Sequence, residues 1–173
     1  MSNSKSTYRI LAVCLGNICR SPLAEGLLRQ EADKRQLPWE IDSAGTSGWH
    51  QGEAPDSRSR AVARQHNLSI DQQRSRKVRF EDFAEYDLIL AMDRQNAIDL
   101  RRMVASSQSG RAHVAEILDI SGLSEIYGPD VIDPYHDDDG FQSVYDILQQ
   151  AAIHLADRYE AGQLPNQNPD YSS

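Results

Sequence analysis

Cys14 and Arg20 stand six positions apart in the stretch VCLGNICRSP, residues 13–22, with Cys19 and Ser21 on either side of the arginine. A cysteine thiol is mostly protonated at neutral pH, with an ordinary pKa of about 8.5. At a helix N-terminus and beside a cation it can become a thiolate, which is a strong nucleophile. Unpaired N–H groups from the loop and the helix start would point into one cavity. Such a cavity suits a tetrahedral oxyanion, and the Arg20 guanidinium can hold two of its oxygens at once. Gly16 and Asn17 tolerate the left-handed backbone that curls a loop around an anion. The stretch therefore predicts a phosphate cradle running through Leu15, Gly16, Asn17, Ile18, Cys19 and Ser21, with the Cys14 sulfur at its base. A lone cysteine after a buried strand is ordinarily a small core residue, and a C-x5-R match alone arises often by chance. The weight lies in the combination of strand, cysteine, Gly-Asn turn, arginine, serine and helix start.

The elements that must hold this loop are legible on either side of it. YRILAVC is a continuous apolar run that predicts a buried strand. Pro22 suits the first turn of a helix, and Leu23, Leu27 and Ala24, Leu28 recur at helical spacing with charges on the other face. WEIDSA predicts a second strand, followed by the Gly-rich loop GTSGWHQGEAPDSR and a helical stretch, SRSRAVARQHN. EDFAEYD predicts a short helix leading into LILAM, a buried strand. DRQNAIDLRRMVA has Asp93 as N-cap and helical spacing at Ile98 and Met103, with Ala97 and Leu100 nearby. AHVAEILDI is a candidate fourth strand, YGPDVIDPYHDDDGF a long polar loop, and FQSVYDILQQAAIHLADRYEAG the longest amphipathic helix. Strands alternating with helices predict an α/β fold: a single three-layer domain over 1–173, a four-stranded parallel sheet with helices on both faces, and flexible ends at 1–6 and 165–173. Ligands in such folds bind outside the C-terminal ends of the strands, where the cysteine loop falls.

Composition narrows the class. The 173 residues are 39% hydrophobic and 25% charged, ordinary for a globular domain, and the net charge of -8 argues against a nucleic-acid binder. The N-terminus lacks a signal-like apolar core, and no run approaches membrane-spanning length. Two cysteines do not make a disulfide scaffold. A cytoplasmic enzyme without membrane insertion is expected. The histidines at 66, 113 and 154 form no ligand pattern, so neither metal nor cofactor is expected.

VCLGNICRSPLAEG resembles the signature of the low-molecular-weight protein tyrosine phosphatases. DSAGTSGWHQGEAPDSR, EDFAEYDLILAMDRQN and DPYHDDDGFQSVYDIL resemble family segments in family order. The resemblance implies that Cys14 is the nucleophile that forms a phosphocysteine and that Arg20 binds the phosphoryl oxygens. It implies that Ser21 hydrogen-bonds the thiolate, Asn17 holds the loop curled, and Ser43 bonds it from behind. Asp133 would be the general acid and then the base that activates water. Trp49 and Tyr135 would wall the pocket, and His50, at a variable position, would tune preference. A reversible Cys14–Cys19 disulfide would shield the nucleophile from irreversible oxidation; from the residues alone, Cys19 reads equally as a small buried side chain. Partners would be tyrosine-phosphorylated proteins, with phosphate and other oxyanions as inhibitors.

The chemistry supports Asp133 separately, because a phenolate of pKa about 10 leaves far better when protonated. Pro134 stiffens the chain after it, whereas Asp137, Asp138 and Asp139 read as a solvated acidic patch. Glycines 48 and 52 around Trp49 favour a surface loop over core burial. Two departures from the family stand out. A histidine common before EDF is missing from IDQQRSRKV, leaving Arg76 as the nearby basic residue and its contact to the loop open. His136 replaces a second tyrosine, so double-tyrosine phosphorylation does not carry over. Other readings are an arsenate reductase, which lacks the third cysteine its relay needs here; a phosphoarginine phosphatase, where threonine would stand at Ile18; and a non-catalytic phosphate-binding module or phosphocysteine carrier, which would need no acid.

Overall fold

β1 (Tyr8–Cys14) is the inner strand on which the sheet is built, pairing with β2 (Trp39–Gly45) on one side and β3 (Leu88–Ala91) on the other. β4 (His113–Glu116) completes a four-stranded, all-parallel sheet in the order β2-β1-β3-β4. The computed structural model describes residues 6–106 and 110–167. Side chains of β1 alternate in the way a strand buried on both faces requires. Ile10, Ala12 and Cys14 join one core cluster, and Leu11 and Val13 join the other.

The first cluster lies under α1 (Arg20–Arg35), α2 (Ser57–Gln65) and α7 (Gly140–Glu160). The second lies under α3 (Asp82–Glu85) and α4 (Arg94–Ser106), with Phe83, Ala97 and Leu100 against Ile89 and Ala91. Two single-turn helices, α5 (Ile117–Ile120) and α6 (Ser124–Tyr127), follow β4. This is the three-layer α/β fold expected. The chain leaves β1 toward one edge and returns through β3 on the other side, so the strand order reverses between β1 and β3. A crevice opens at that point, beyond the strand ends.

Four local expectations need correction. The fourth strand stops at Glu116, because β3 offers no partner beyond Ala91 and consecutive Ile117 and Leu118 both turn into the core, a helical pattern. In α4 the sheet-facing side chains are Ala97 and Leu100, while Ile98 is exposed; the Asp93 cap, bonded to the Asn96 N–H at 2.7 Å, sets that phase. The polar face of α1 is not all solvated, since Glu25 and Glu31 are buried. Finally, 165–167 are tied down rather than frayed. Tyr8 Oη donates to the Pro165 carbonyl at 2.6 Å, and Asn166 bonds the carbonyls of Asp87 and Arg111. Residues 1–5 and 168–173 lie outside the described residues. No helix among the described residues is long and apolar enough to cross a membrane.

Candidate active site

β1 ends at Cys14, and α1 begins at Arg20. The five residues between them turn the chain through a left-handed Asn17, with φ of 56°. A side chain of asparagine tolerates that backbone better than most. The start of α1 has no side-chain cap and no acid in its first turn, so its N–H groups and dipole face the crevice uncompensated. Gly45 allows the loop to pack this close to β2, since a Cβ there would come within 2.8 Å of the Leu15 carbonyl oxygen. Thr46 and Ser47 then hold the carbonyls of Cys14 and Leu15 through their N–H groups, each at 2.9 Å.

Beneath the loop runs a chain of hydrogen bonds. The Asn17 side-chain oxygen accepts the Arg76 backbone N–H at 3.0 Å, which orients the amide. Its Nδ2 then donates to Ser21 Oγ at 2.9 Å and to Ser43 Oγ at 3.0 Å. Ser21 Oγ also lies 3.0 Å from Cys14 Sγ, a bond in which either atom can donate, and 3.5 Å from the Ala44 carbonyl oxygen. The Asn17 N–H donates to the sulfur at 3.3 Å. Ser43 in turn donates to Glu25 Oε1 at 2.8 Å. Burial pushes the Glu25 carboxyl up to about 7, against the opposing pull of Ser43 and Arg29. Asn17, Ser21 and Ser43 are all buried, so these bonds are made away from water, where leaving one unmade is costly. Arg76, whose contact to the loop the sequence left open, reaches it through its backbone N–H, while its side chain pairs with Asp42 and Asp82.

Arg20 is 3% exposed. Its Nη1 donates to Asp93 Oδ2 at 2.6 Å and to the Val131 carbonyl at 2.9 Å, and its Nη2 lies 3.7 Å from Asp133 Oδ2. Burial works against the charge, but Cys14, Asp93 and Asp133 outweigh it and hold the guanidinium above its ordinary range. Asp93 is the residue that the sequence hid. Its helix-capping role through Oδ1 is visible there, but its second oxygen steers the arginine, and only the neighbouring position of β3 beside β1 reveals that.

A cavity of about 270 Å³ opens above the loop, lined by Cys14, Leu15, Gly16, Ile18, Cys19, Arg20, Trp49, His50, Asp133, Tyr135 and His136. Asn17, Ser21 and Ser43 lie below it rather than in it. Trp49 is 75% exposed and forms an open wall; Tyr135 is partly exposed and packs edge-on against His136. His50 lies over Gly16 and is held by Glu53 at 2.8 Å through Nδ1. Asp133 is half-exposed, and its Oδ1 accepts the Tyr135 N–H at 3.1 Å. The acidic neighbours are otherwise engaged. Asp130 pairs with Arg94 at 3.1 Å, and that partnership holds its carboxyl below the usual range despite some burial. Asp137 accepts the Asp139 N–H, and Asp138 meets Arg58. Larger grooves elsewhere, one of about 640 Å³ beside Glu25 and Arg29 and one of about 400 Å³ beside Trp39 and Tyr86, are lined by no cysteine.

Both cysteines are free thiols, and both are buried. Burial foremost, then the charges of Asp56, Cys14 and Asp133, push the Cys19 thiol well above its ordinary range, so it stays protonated. It is no rival nucleophile. Among the described residues no three His, Cys, Asp or Glu side chains gather as a metal site would require.

The model of the family described as low molecular weight phosphotyrosine protein phosphatase matches residues 9–164. The low molecular weight protein-tyrosine-phosphatase YfkJ of Bacillus subtilis is 37% identical over 148 residues, spanning 84% of this chain and 92% of that protein. The human low molecular weight phosphotyrosine protein phosphatase is 34% identical over 144 residues, spanning 82% and 89%. The crystal structure of YfkJ matches with a TM-score of 0.84 at 33% identity, covering 94% of this chain and all of the other. A Drosophila arginine phosphatase matches with a TM-score of 0.82 at 32% identity, over 87% and 97%.

Proposed function

The chain belongs to the low molecular weight phosphotyrosine protein phosphatase family, and from that premise we propose that it hydrolyses phosphotyrosine in proteins through a phosphocysteine. One observation carries the reading: the Cys14 sulfur, the Arg20 guanidinium and the Asp133 carboxyl line one small cavity at an uncapped helix N-terminus. The phosphoryl group sits in the loop, with its oxygens on backbone N–H groups and on Arg20. The Cys14 thiolate attacks phosphorus as the P–O bond to the tyrosine breaks. Asp133 gives its proton to the departing phenolate. A water then attacks the phosphocysteine, Asp133 takes a proton from it, and phosphate leaves as the thiolate is restored.

The likeness to an arginine phosphatase makes phosphoarginine the second reading. Against it stands Ile18, buried and lining the cavity, where an apolar side chain favours an aromatic ester over a guanidinium. Trp49 and Tyr135 add aromatic surface on the same rim, suited to a tyrosine ring. Initial rates on matched phosphotyrosine, phosphoserine and phosphoarginine peptides separate the readings. The phosphotyrosine peptide is expected to be preferred at least tenfold in kcat/KM, and a preference for phosphoarginine would overturn the proposal.

The same chemistry gives the second cysteine a role. Peroxide oxidises the Cys14 thiolate to a sulfenic acid, and the Cys19 thiol then attacks that sulfur, its proton passing to the departing oxygen, which leaves as water as the disulfide forms. Mild peroxide is expected to inactivate the enzyme reversibly, with activity restored by a thiol reductant. Cys19→Ser should keep its initial activity but lose that recovery. Intact and digested mass spectra lacking a Cys14–Cys19 bridge after mild oxidation would discard the idea.

A further inference from the structure

Arg58, in the first turn of α2, takes no part in the steps above, yet it touches both halves of the site. Its Nε and Nη2 grip the two oxygens of Asp56 at 3.0 and 2.9 Å, and its backbone N–H bonds Asp56 Oδ1 at 2.8 Å. Asp56 in turn donates its backbone N–H to the Ile18 carbonyl at 2.8 Å, inside the phosphate loop. On its other side Arg58 Nη1 meets Asp138 at 2.5 Å. The guanidinium carbon also lies 4.5 Å from the Phe141 ring centre and 5.6 Å from that of Tyr135.

The segment that carries Asp133 needs such a brace. Between Val131, bonded to Met92, and the start of α7, its own backbone bonds are two short turns, Asp137 to Pro134 and Gly140 to Asp137. Asp133 is half-exposed and is joined directly to Tyr135 by the 3.1 Å bond. The geometry points to Arg58 as the positioning residue for the general acid: one planar cation fixes the Tyr135–Phe141 segment to the phosphate loop and so sets where Asp133 stands over Cys14. This rests on Asp133 being the acid. A single exposed ion pair would hold such a segment weakly. A guanidinium gripped at two points and stacked on rings holds an orientation that an ammonium does not.

The test compares kcat/KM on aryl phosphates of graded leaving-group basicity for Arg58→Ala and Arg58→Lys, each in the wild-type and Asp133→Asn backgrounds. A displaced acid predicts about a tenfold loss on phenyl phosphate and under about twofold on dinitrophenyl phosphate. In the Asp133→Asn background, Arg58→Ala should add less than about twofold, because the two changes remove one function. Arg58→Lys should resemble Arg58→Ala. Inhibition by inorganic phosphate should stay within about twofold, since the cradle itself is intact. Equal losses across leaving groups, or in both backgrounds, would mean a merely structural role and overturn the inference. If Arg58→Ala does not fold, Asp138→Ala decides, at a side chain 84% exposed. A leaving-group-dependent loss of about two- to threefold supports the brace, and none overturns it. A flat Asp133→Asn profile would sink the acid assignment and this inference together; a steep one with a flat Arg58→Ala profile would sink the inference alone.

Discussion

Cys14→Ser is expected to lower turnover of a phosphotyrosine peptide by at least about four orders of magnitude while inorganic phosphate still binds. A serine hydroxyl at the same position is a far weaker nucleophile without an adjacent base. The groups that bond the sulfur cannot serve as that base: Ser21 at 3.0 Å is a neutral hydroxyl and the Asn17 N–H is a donor. The proposed anion site, by contrast, consists of the helix start, the loop backbone and Arg20, none of which changes. Arg20→Lys should show the opposite pattern in binding. An ammonium cannot bond Asp93 and the Val131 carbonyl while also presenting a planar edge to the phosphoryl group. Loss of both phosphate affinity and about a hundredfold or more in kcat/KM is expected. Residual activity above a few per cent in Cys14→Ser, or near-normal rates in Arg20→Lys, would remove the assigned roles. Phosphate inhibition constants and single-turnover rates measure both.

Asp133→Asn should reduce kcat/KM on phosphotyrosine by about a hundredfold or more, and much less on an aryl phosphate whose leaving group is already acidic. The variant keeps the side-chain oxygen that accepts the Tyr135 N–H, so the segment should remain in place while the transferable proton is lost. In the wild type the rate should depend weakly on leaving-group pKa, because protonation accompanies bond cleavage. In the variant the dependence should become steep. Parallel dependences would leave Asp133 a structural residue. The acid would then be sought among Asp130, Asp137 and their neighbours, although Asp130 is held ionised by Arg94 and Asp138 is occupied by Arg58.

The Cys14–Arg20 loop is legible in the sequence because everything that makes it is local. A buried strand, a left-handed Asn17, an arginine and a helix start are contiguous, and backbone geometry alone turns them around one point. The burial of β1 on both faces and the placement of the loop at a strand end follow from the same short-range patterns. Asp133 and Trp49 were found through resemblance, since residues so far apart in the chain carry no mutual signal in their spacing. What only the tertiary structure decided are the pairings across elements. Asp93 reads as a helix cap until the pairing of β3 with β1 sets its free oxygen against Arg20. Glu25 reads as part of a charged helix face until α1 packs on β2 and presents it to Ser43. The acidic run after Tyr135 reads as solvated surface until Arg58 of α2 reaches Asp138 beside the start of α7. The physical reason is that local propensity fixes the backbone of each element. Which side chains face one another depends on the register and rotational phase with which separate elements pack, and burial in the assembled core sets those.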